Sequence, residues 1–215
     1  MKLFTFHETC PGHDIEAELR LLTLWREHWT ALGFEPVVLN EWIARQHPFF
    51  ADYEREIRKL PSVNSESYEL ACWFRWLALA QVGGGWCMDY DVFTTRPTSL
   101  PEGSNDKLQL MQTNCICPCL FHASKETIER LCLEFASGQW GRRMMGERPH
   151  YSDQYAIVDM VEKGCDWITQ DNRLLGYGDV DWGKADFVHF SNSSMQPRGM
   201  IPRWKHIPVL LKGLS

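Results

Sequence analysis

Two short strand-like runs bracket one amphipathic stretch within the first forty residues, and that order restricts the fold more than any other feature. Leu3–Phe6 reads as a strand, His7–His13 with Pro11 and Gly12 as a loop, and Pro36–Leu39 as a second strand. Between them Ile15, Leu19, Leu22, Trp25, Trp29 and Leu32 recur at helical spacing. Asp14 suits an N-cap and Gly33 a left-handed C-cap, which bounds that helix. Strand, helix and strand in this order form a βαβ unit, which demands parallel pairing. The expectation is therefore an α/β fold. Ligands of such sheets sit beyond the carboxyl ends of the strands. Thr5, Phe6, His7 and Glu8, together with Asn40–Trp42, are thus expected at a ligand-binding edge.

A second segment, Tyr68–Val82, is apolar on nearly every face and reads as a helix buried all round. Gly83–Gly85 end it, and Trp86–Met88 reads as the interior end of a strand. Further on, Lys107–Cys119 and Leu120–His122 have strand character. Lys125–Ser137 reads as a helix capped by Ser124, and Ser152 is placed to cap another over Asp153–Lys163. No repeat or long linker interrupts the 215 residues, so a single domain is expected.

Composition removes several function classes. A net charge of −6 and no basic stripe beyond Arg142-Arg143 argue against nucleic-acid binding. No run approaches the ~20 apolar residues of a membrane span, since Ala71–Val82 is short and contains Arg75. The opening MKLFTFHETC lacks the apolar core and cleavage site of a signal peptide, so a cytoplasmic location is expected. Of the eight cysteines, Cys115, Cys117 and Cys119 form the one cluster. Its C-x-C-x-C spacing departs from the paired spacing of zinc sites and reads as alternation on a strand, with Cys as a small hydrophobe.

The chemistry concentrates in GGGWCMDYDVF, where Asp89 and Asp91 flank Tyr90 at the end of the most apolar region. Carboxylates two residues apart on a strand face the same side. Close together and poorly hydrated, they stay ionised only beside a compensating charge. Mg²⁺ or Mn²⁺ supplies one and accepts oxygen ligands; a solvated turn after a buried strand is the alternative. Arg75 is the sole formal charge between Glu69 and Asp89. A buried guanidinium needs an anion, either Glu69 or an Asp of the core, or a sugar-phosphate ligand. The glycines permit close approach of a ligand or of another strand.

The block FRWLALAQVGGGWCMDYDVF resembles the central region of glycosyltransferases with the DXD sugar-binding region. That group includes the clostridial toxin glucosyltransferase domains and the yeast-type mannosyltransferases. The resemblance spans Glu69–Phe93. It implies a GT-A fold, with a mixed, mainly parallel Rossmann-like sheet flanked by helices, a nucleotide-sugar donor (UDP-linked) and Mn²⁺ or Mg²⁺. It assigns Asp91 and Asp89 to the metal, Asp89 and Tyr90 to the donor's ribose or sugar, and Arg75 to the donor sugar. Two departures stand out. The Arg75-to-Asp89 spacing is one residue longer than the pattern, and Cys72 occupies a position where Asp often stands.

The same resemblance singles out Asp153 and Gln154 in YSDQYAIVDM as a pair of the kind that lies under the donor sugar of retaining enzymes. Asp153 would hydrogen-bond the sugar or take the acceptor's proton; a helix N-terminus favouring Asp through its dipole is the alternative. Retention is the expected outcome, with inversion open. In VHFSNSS, His189 is assigned as a late metal or diphosphate ligand, with Ser191, Asn192 and Ser194 behind it; an ordinary half-buried strand histidine is the alternative. The implied acceptor is a glycan, a lipid-linked intermediate or a protein side chain, met by loops such as Gly138–Tyr151 with Trp140 and His150. A non-catalytic nucleotide-sugar or glycan binding module is the competing class. A haloacid-dehalogenase-like phosphotransferase fits poorly, because Phe93 stands where Thr or Val is expected.

Overall fold

The computed structural model describes residues 1–111, 117–138, 149–176, 185–195 and 202–212. In chain order the elements are β1 (Lys2–Phe6), α1 (Ile15–Ala31), β2 (Glu35–Leu39), α2 (Glu41–Ala44), α3 (Phe50–Ile57), α4 (Glu66–Gln81), β3 (Gly84–Met88) and β4 (Val92–Thr94). There follow β5 (Leu108–Leu110), β6 (Leu120–Ser124), α5 (Lys125–Ser137), α6 (Asp153–Glu162), β7 (Ile168–Gln170), β8 (Leu174–Gly176), β9 (Phe187–His189), α7 (Asn192–Met195) and α8 (Arg203–Lys212).

Among the described residues, six strands form one mixed sheet in the order β2-β1-β3-β6-β5-β7. β1 pairs in parallel with both β2 and β3, as the βαβ pattern requires, and β5 with β7, whereas β6 runs antiparallel to β3 and β5. A second sheet, β4-β9-β8, stands beside it.

Strand alternation splits the core into two clusters. Phe4, Cys87 and Phe121 join α3, α4, α5 and α6 in one; Leu3, Trp86, Met88 and Leu120 join α1, α8 and the small sheet in the other. Both faces of the large sheet are therefore covered by helices, which makes this an α/β fold.

Local chemistry explains several boundaries. The Asp14 carboxylate accepts from the Ala17 N–H at 3.0 Å, and Ser124 Oγ from the Thr127 N–H at 3.2 Å, closing the first turns of α1 and α5. Gly33 follows α1 with φ 85°. The buried face of α1 differs from the expected one: Leu21, Leu22, Trp25 and Trp29 are inside, while Ile15, Leu19 and Leu32 are exposed. Two tryptophans one turn apart fill the contact with the small sheet, so the apolar residues at either end of the helix face water. α4 is buried all round only along Trp76–Ala80; Tyr68, in its first turn, is exposed.

The glycines after α4 serve the sheet. A Cβ at Gly84 would stand 2.6 Å from the Ala123 carbonyl oxygen and 2.7 Å from the Lys125 nitrogen, and one at Gly85 3.2 Å from the Phe4 ring. With φ of 82° and 129°, both adopt backbone that other residues avoid. Of the two uses expected for this run, approach to another strand is the one seen. Among the described residues of Lys107–Cys119, strand is found at Leu108–Leu110. Cys117 and Cys119 lie in the turn before β6 and not on a strand, because pairing with β3 begins at Leu120. Cys115, Trp140 and Arg142-Arg143 lie outside the described residues.

Candidate functional site

β1 and β3 are parallel neighbours, with Phe4 opposite Cys87, so Phe6 and His7 leave the sheet at the same edge as Asp89 and Tyr90. His7 and Tyr90 meet edge to face, centroids 5.5 Å apart. Behind His7, Glu18 lies 3.5 Å from Nε2, and its other oxygen pairs with His13 Nδ1 at 2.7 Å. Thr5 is fully buried, and its hydroxyl has no hydrogen-bond partner among the described residues. The expected ligand-binding edge is thus assembled from β1, the β3 exit and α1.

The two aspartates are held by separate devices. The Asp89 N–H donates to the Cys119 carbonyl at 2.9 Å, which extends the β3–β6 ladder by one step. The Val92 N–H donates to the Asp89 carbonyl, closing a turn that sends β4 into the small sheet. There Val92 pairs with His189, and the Phe190 N–H donates to the Asp91 carbonyl at 2.9 Å. The small sheet thereby carries a residue from the far end of the chain onto the aspartate pair. His189 Nε2 stands 3.2 Å from Asp91 Oδ1 and 3.7 Å from Asp89 Oδ2.

The charges around this pair are closely matched. Arg75, on α4, donates from Nη1 to Asp89 at 3.1 Å and from Nε to Asp153 Oδ2 at 3.0 Å, with Nη2 on that same oxygen. Trp76 Nε1 also donates to Asp153 Oδ2, at 2.9 Å, while the Gln154 N–H donates to Oδ1 at 2.8 Å. Arg203, the first residue of α8, pairs with Asp91 Oδ2 and donates to the Phe190 carbonyl at 3.3 Å. Burial alone would push the Asp91 carboxyl up; the His189 and Arg203 charges outweigh it and hold the group below the ordinary value. Burial alone would lower His189, but the Asp91 carboxylate outweighs it and raises the imidazole to about 10.

Among the described residues, two triads of potential metal ligands share His189. Asp89, Asp91 and His189 form one, and Cys117, Cys119 and His189 the other; in each the ligand atoms lie within 4.8 Å of one another. The first offers two oxygens and an imidazole, a donor set suited to Mn²⁺ or Mg²⁺. Asp91 Oδ1 is buried, with no well-aligned hydrogen bond among the described residues and the His189 Nε2 3.2 Å away; once that imidazole gives up its proton, a cation can stand between the two.

Several sequence expectations therefore meet in one place: Asp89, Tyr90, Asp91, Arg75, Asp153, His189 and His7. Gln154 adjoins it through its backbone, and Ser191 and Asn192 follow β9. The Ser194 side chain lies outside the description, as does most of Gly138–Tyr151. Within that loop, His150 stands 4.0 Å from Glu69 and packs edge to face on Tyr155. Arg203, Trp76, Cys117 and Cys119 join the site unannounced. A basic residue in the sparse tail carries no spacing signal, and the cysteines were legible only as a cluster.

The family model described as Domain of unknown function (DUF8765) matches residues 3–111. The chain belongs to this family. The family region runs from β1 to the end of β5 and holds Arg75, Asp89 and Asp91; Asp153, His189 and Arg203 lie beyond it. No curated protein matches the chain. Among solved structures, the chain is similar to a crystal structure of a glycosyltransferase involved in the glycosylation of the major capsid of PBCV-1. The two share 13% identity at a TM-score of 0.54, over 96% of this chain and 98% of that one. At that identity the likeness is one of fold, a glycosyltransferase-like α/β architecture. Among the described residues, no helix is long and apolar enough to cross a membrane.

Proposed function

We propose that the chain is a metal-dependent glycosyltransferase of GT-A type that transfers a sugar from a nucleotide-sugar donor, UDP-linked, to a glycan, lipid-linked or protein acceptor. One observation carries this reading: Asp89, Asp91 and His189 converge at the carboxyl edge of the sheet, in a fold similar over nearly its whole length to that of a glycosyltransferase. Asp91 and His189, with Asp89, would hold Mn²⁺ or Mg²⁺, whose positive charge offsets the diphosphate of the leaving nucleotide. Phe6, His7 and Tyr90 border the space for the base and ribose, with Thr5 buried behind them.

Arg75 and Asp153 take specific roles in this reading. Asp153 Oδ2 accepts three N–H donors, so that oxygen has no free lone pair for an acceptor hydroxyl. Asp153 is accordingly a positioning residue that aims Arg75 at the donor, with Gln154 beside it at the start of α6. Retention of configuration is the outcome this reading favours; Asp153 Oδ1, which accepts the Gln154 N–H, is the oxygen that would take a proton if the enzyme inverts.

The saturation of Asp153 Oδ2 also lends weight to a second reading, a module that binds a nucleotide sugar without turning it over. One experiment addresses both. Thermal unfolding is followed with UDP-sugars, with and without Mn²⁺, alongside release of UDP. Stabilisation that needs both partners, with UDP release lost in Asp91→Asn, supports the transferase. Coupled stabilisation without UDP release supports the binding module, and no coupling in any combination overturns both.

A further inference from the structure

The second triad is built from the same strands as the first but from different chemistry. Because the β3–β6 ladder continues to Asp89 and the Cys119 carbonyl, Cys119 lies directly opposite Asp89. Cys117 is two residues further along, with Pro118 between them. The small sheet brings His189 to the same point from the other side. Cys119 is fully buried and its thiol donates to the Cys117 carbonyl at 3.5 Å, while Cys117 is half-buried. Neither cysteine is in a disulfide.

Two thiols and an imidazole are soft or borderline ligands. They select zinc-like cations, whereas the neighbouring carboxylates favour Mn²⁺ and Mg²⁺. The spacing is compatible. Sulfur and nitrogen ligands of a tetrahedral zinc stand roughly 3.5–3.8 Å apart, given Zn–S and Zn–N lengths of about 2.3 and 2.0 Å. Ligand atoms already within 4.8 Å of one another lie no more than about 1 Å beyond that spacing.

We propose that Cys117, Cys119 and His189 form a binding site for a thiophilic divalent cation, Zn²⁺, beside the carboxylate pair and drawing on the same histidine. Binding exchanges the two thiol protons and the proton of the His189 imidazolium for the cation, and leaves the fourth position to water. The site stands on its own ligand set, independent of the glycosyltransferase reading. Only the consequence that Zn²⁺ withdraws His189 from Asp91 touches that reading.

The test uses the full chain, kept reduced with a phosphine, and Co²⁺ as the probe. One equivalent of Co²⁺ is expected to produce thiolate-to-cobalt charge-transfer absorption, abolished by added Zn²⁺. The double substitution Cys117→Ala with Cys119→Ala should remove the band, and His189→Gln should weaken Co²⁺ binding by more than about 100-fold, beyond what outer-shell changes cost. Asp91→Asn should leave the band in place, which separates this site from the carboxylate site. Should the double variant fail to fold, alkylation mapping of the native chain decides: Zn²⁺ must protect the half-buried Cys117. Absence of the charge-transfer band, its persistence in the double variant, or alkylation unchanged by Zn²⁺ overturns the proposal.

Discussion

Arg203 and Asp91 form an ion pair across 112 positions of sequence, joining the first residue of α8 to the aspartate after β3. The guanidinium occupies one oxygen of the carboxylate that faces His189 through the other. It thus holds positive charge where the proposed cation would bring its own.

Replacing that arginine separates two effects. In Arg203→Gln, Mn²⁺ binding in the absence of donor is expected to tighten about fivefold, because a competitor worth roughly 1 kcal/mol is gone. Binding of the nucleotide diphosphate should weaken at the same time. Isothermal titration of Mn²⁺, then of UDP, measures both; weaker Mn²⁺ binding would show that Arg203 supports the cation site instead of competing for it.

Asp153 is expected to matter for stability as much as for turnover. Asp153→Ala leaves the Arg75 guanidinium and the Trp76 indole N–H short of a buried acceptor. The loss should be about 3–5 kcal/mol by urea denaturation, the range for breaking a buried pair from one side. A change under ~1 kcal/mol would mean that water takes the place of the carboxylate.

Gly84 offers a test of the sheet. Gly84→Ala places a methyl against the backbone of Ala123 and Lys125 at positive φ. It should cost about 2–4 kcal/mol, from strain and overpacking together. Gly83→Ala, where a methyl meets nothing within 4 Å, should cost less. Equal losses in the two variants, compared by thermal denaturation, would contradict the close-contact account.

The protein should also lose stability in mild acid through His28. Its Nε2 lies 2.9 Å from the Thr94 hydroxyl and accepts the Thr94 N–H at 3.3 Å, and burial lowers its value to about 4 from the usual 6.5. Between those values the unfolded chain binds a proton that the native state refuses. Stability therefore falls as pH drops through that window and is insensitive to this group above it. Urea midpoints at about pH 7 and about pH 5 should converge in His28→Gln relative to the native chain.

The elements most legible in the sequence were those whose signal is local. The caps of α1 and α5, the βαβ order and the glycine run each depend on a few adjacent residues, and each led to the right element. Half of the expected α1 face, Leu22, Trp25 and Trp29, is buried, while Ile15, Leu19 and Leu32 are exposed, because which apolar residues are buried depends on the small sheet that packs there, and β4, β8 and β9 are too short to show a period. The site follows the same rule. Asp89, Asp91 and Arg75 lie on one contiguous stretch and could be read together. Arg203 arrives from α8 and the cysteines from the β6 turn, so their membership is set by strand pairing alone. Arg75 had two possible partners in sequence, a core acid or a ligand; in the fold it bridges two aspartates that themselves border the site.

The family region stops at Met111, which turns the site into a seam between two stretches of chain. On one side lie Asp89, Asp91 and Arg75; on the other lie Asp153, His189 and Arg203. The six charges balance only when both sides are present, three carboxylates against two guanidinium groups and one imidazolium. A fragment cut at the end of the family region would carry an excess negative charge on the exposed end of β3, with no β9 to receive β4. The two portions are therefore expected to fold as a complementing pair, each completing the electrostatics of the other, and not as separable modules.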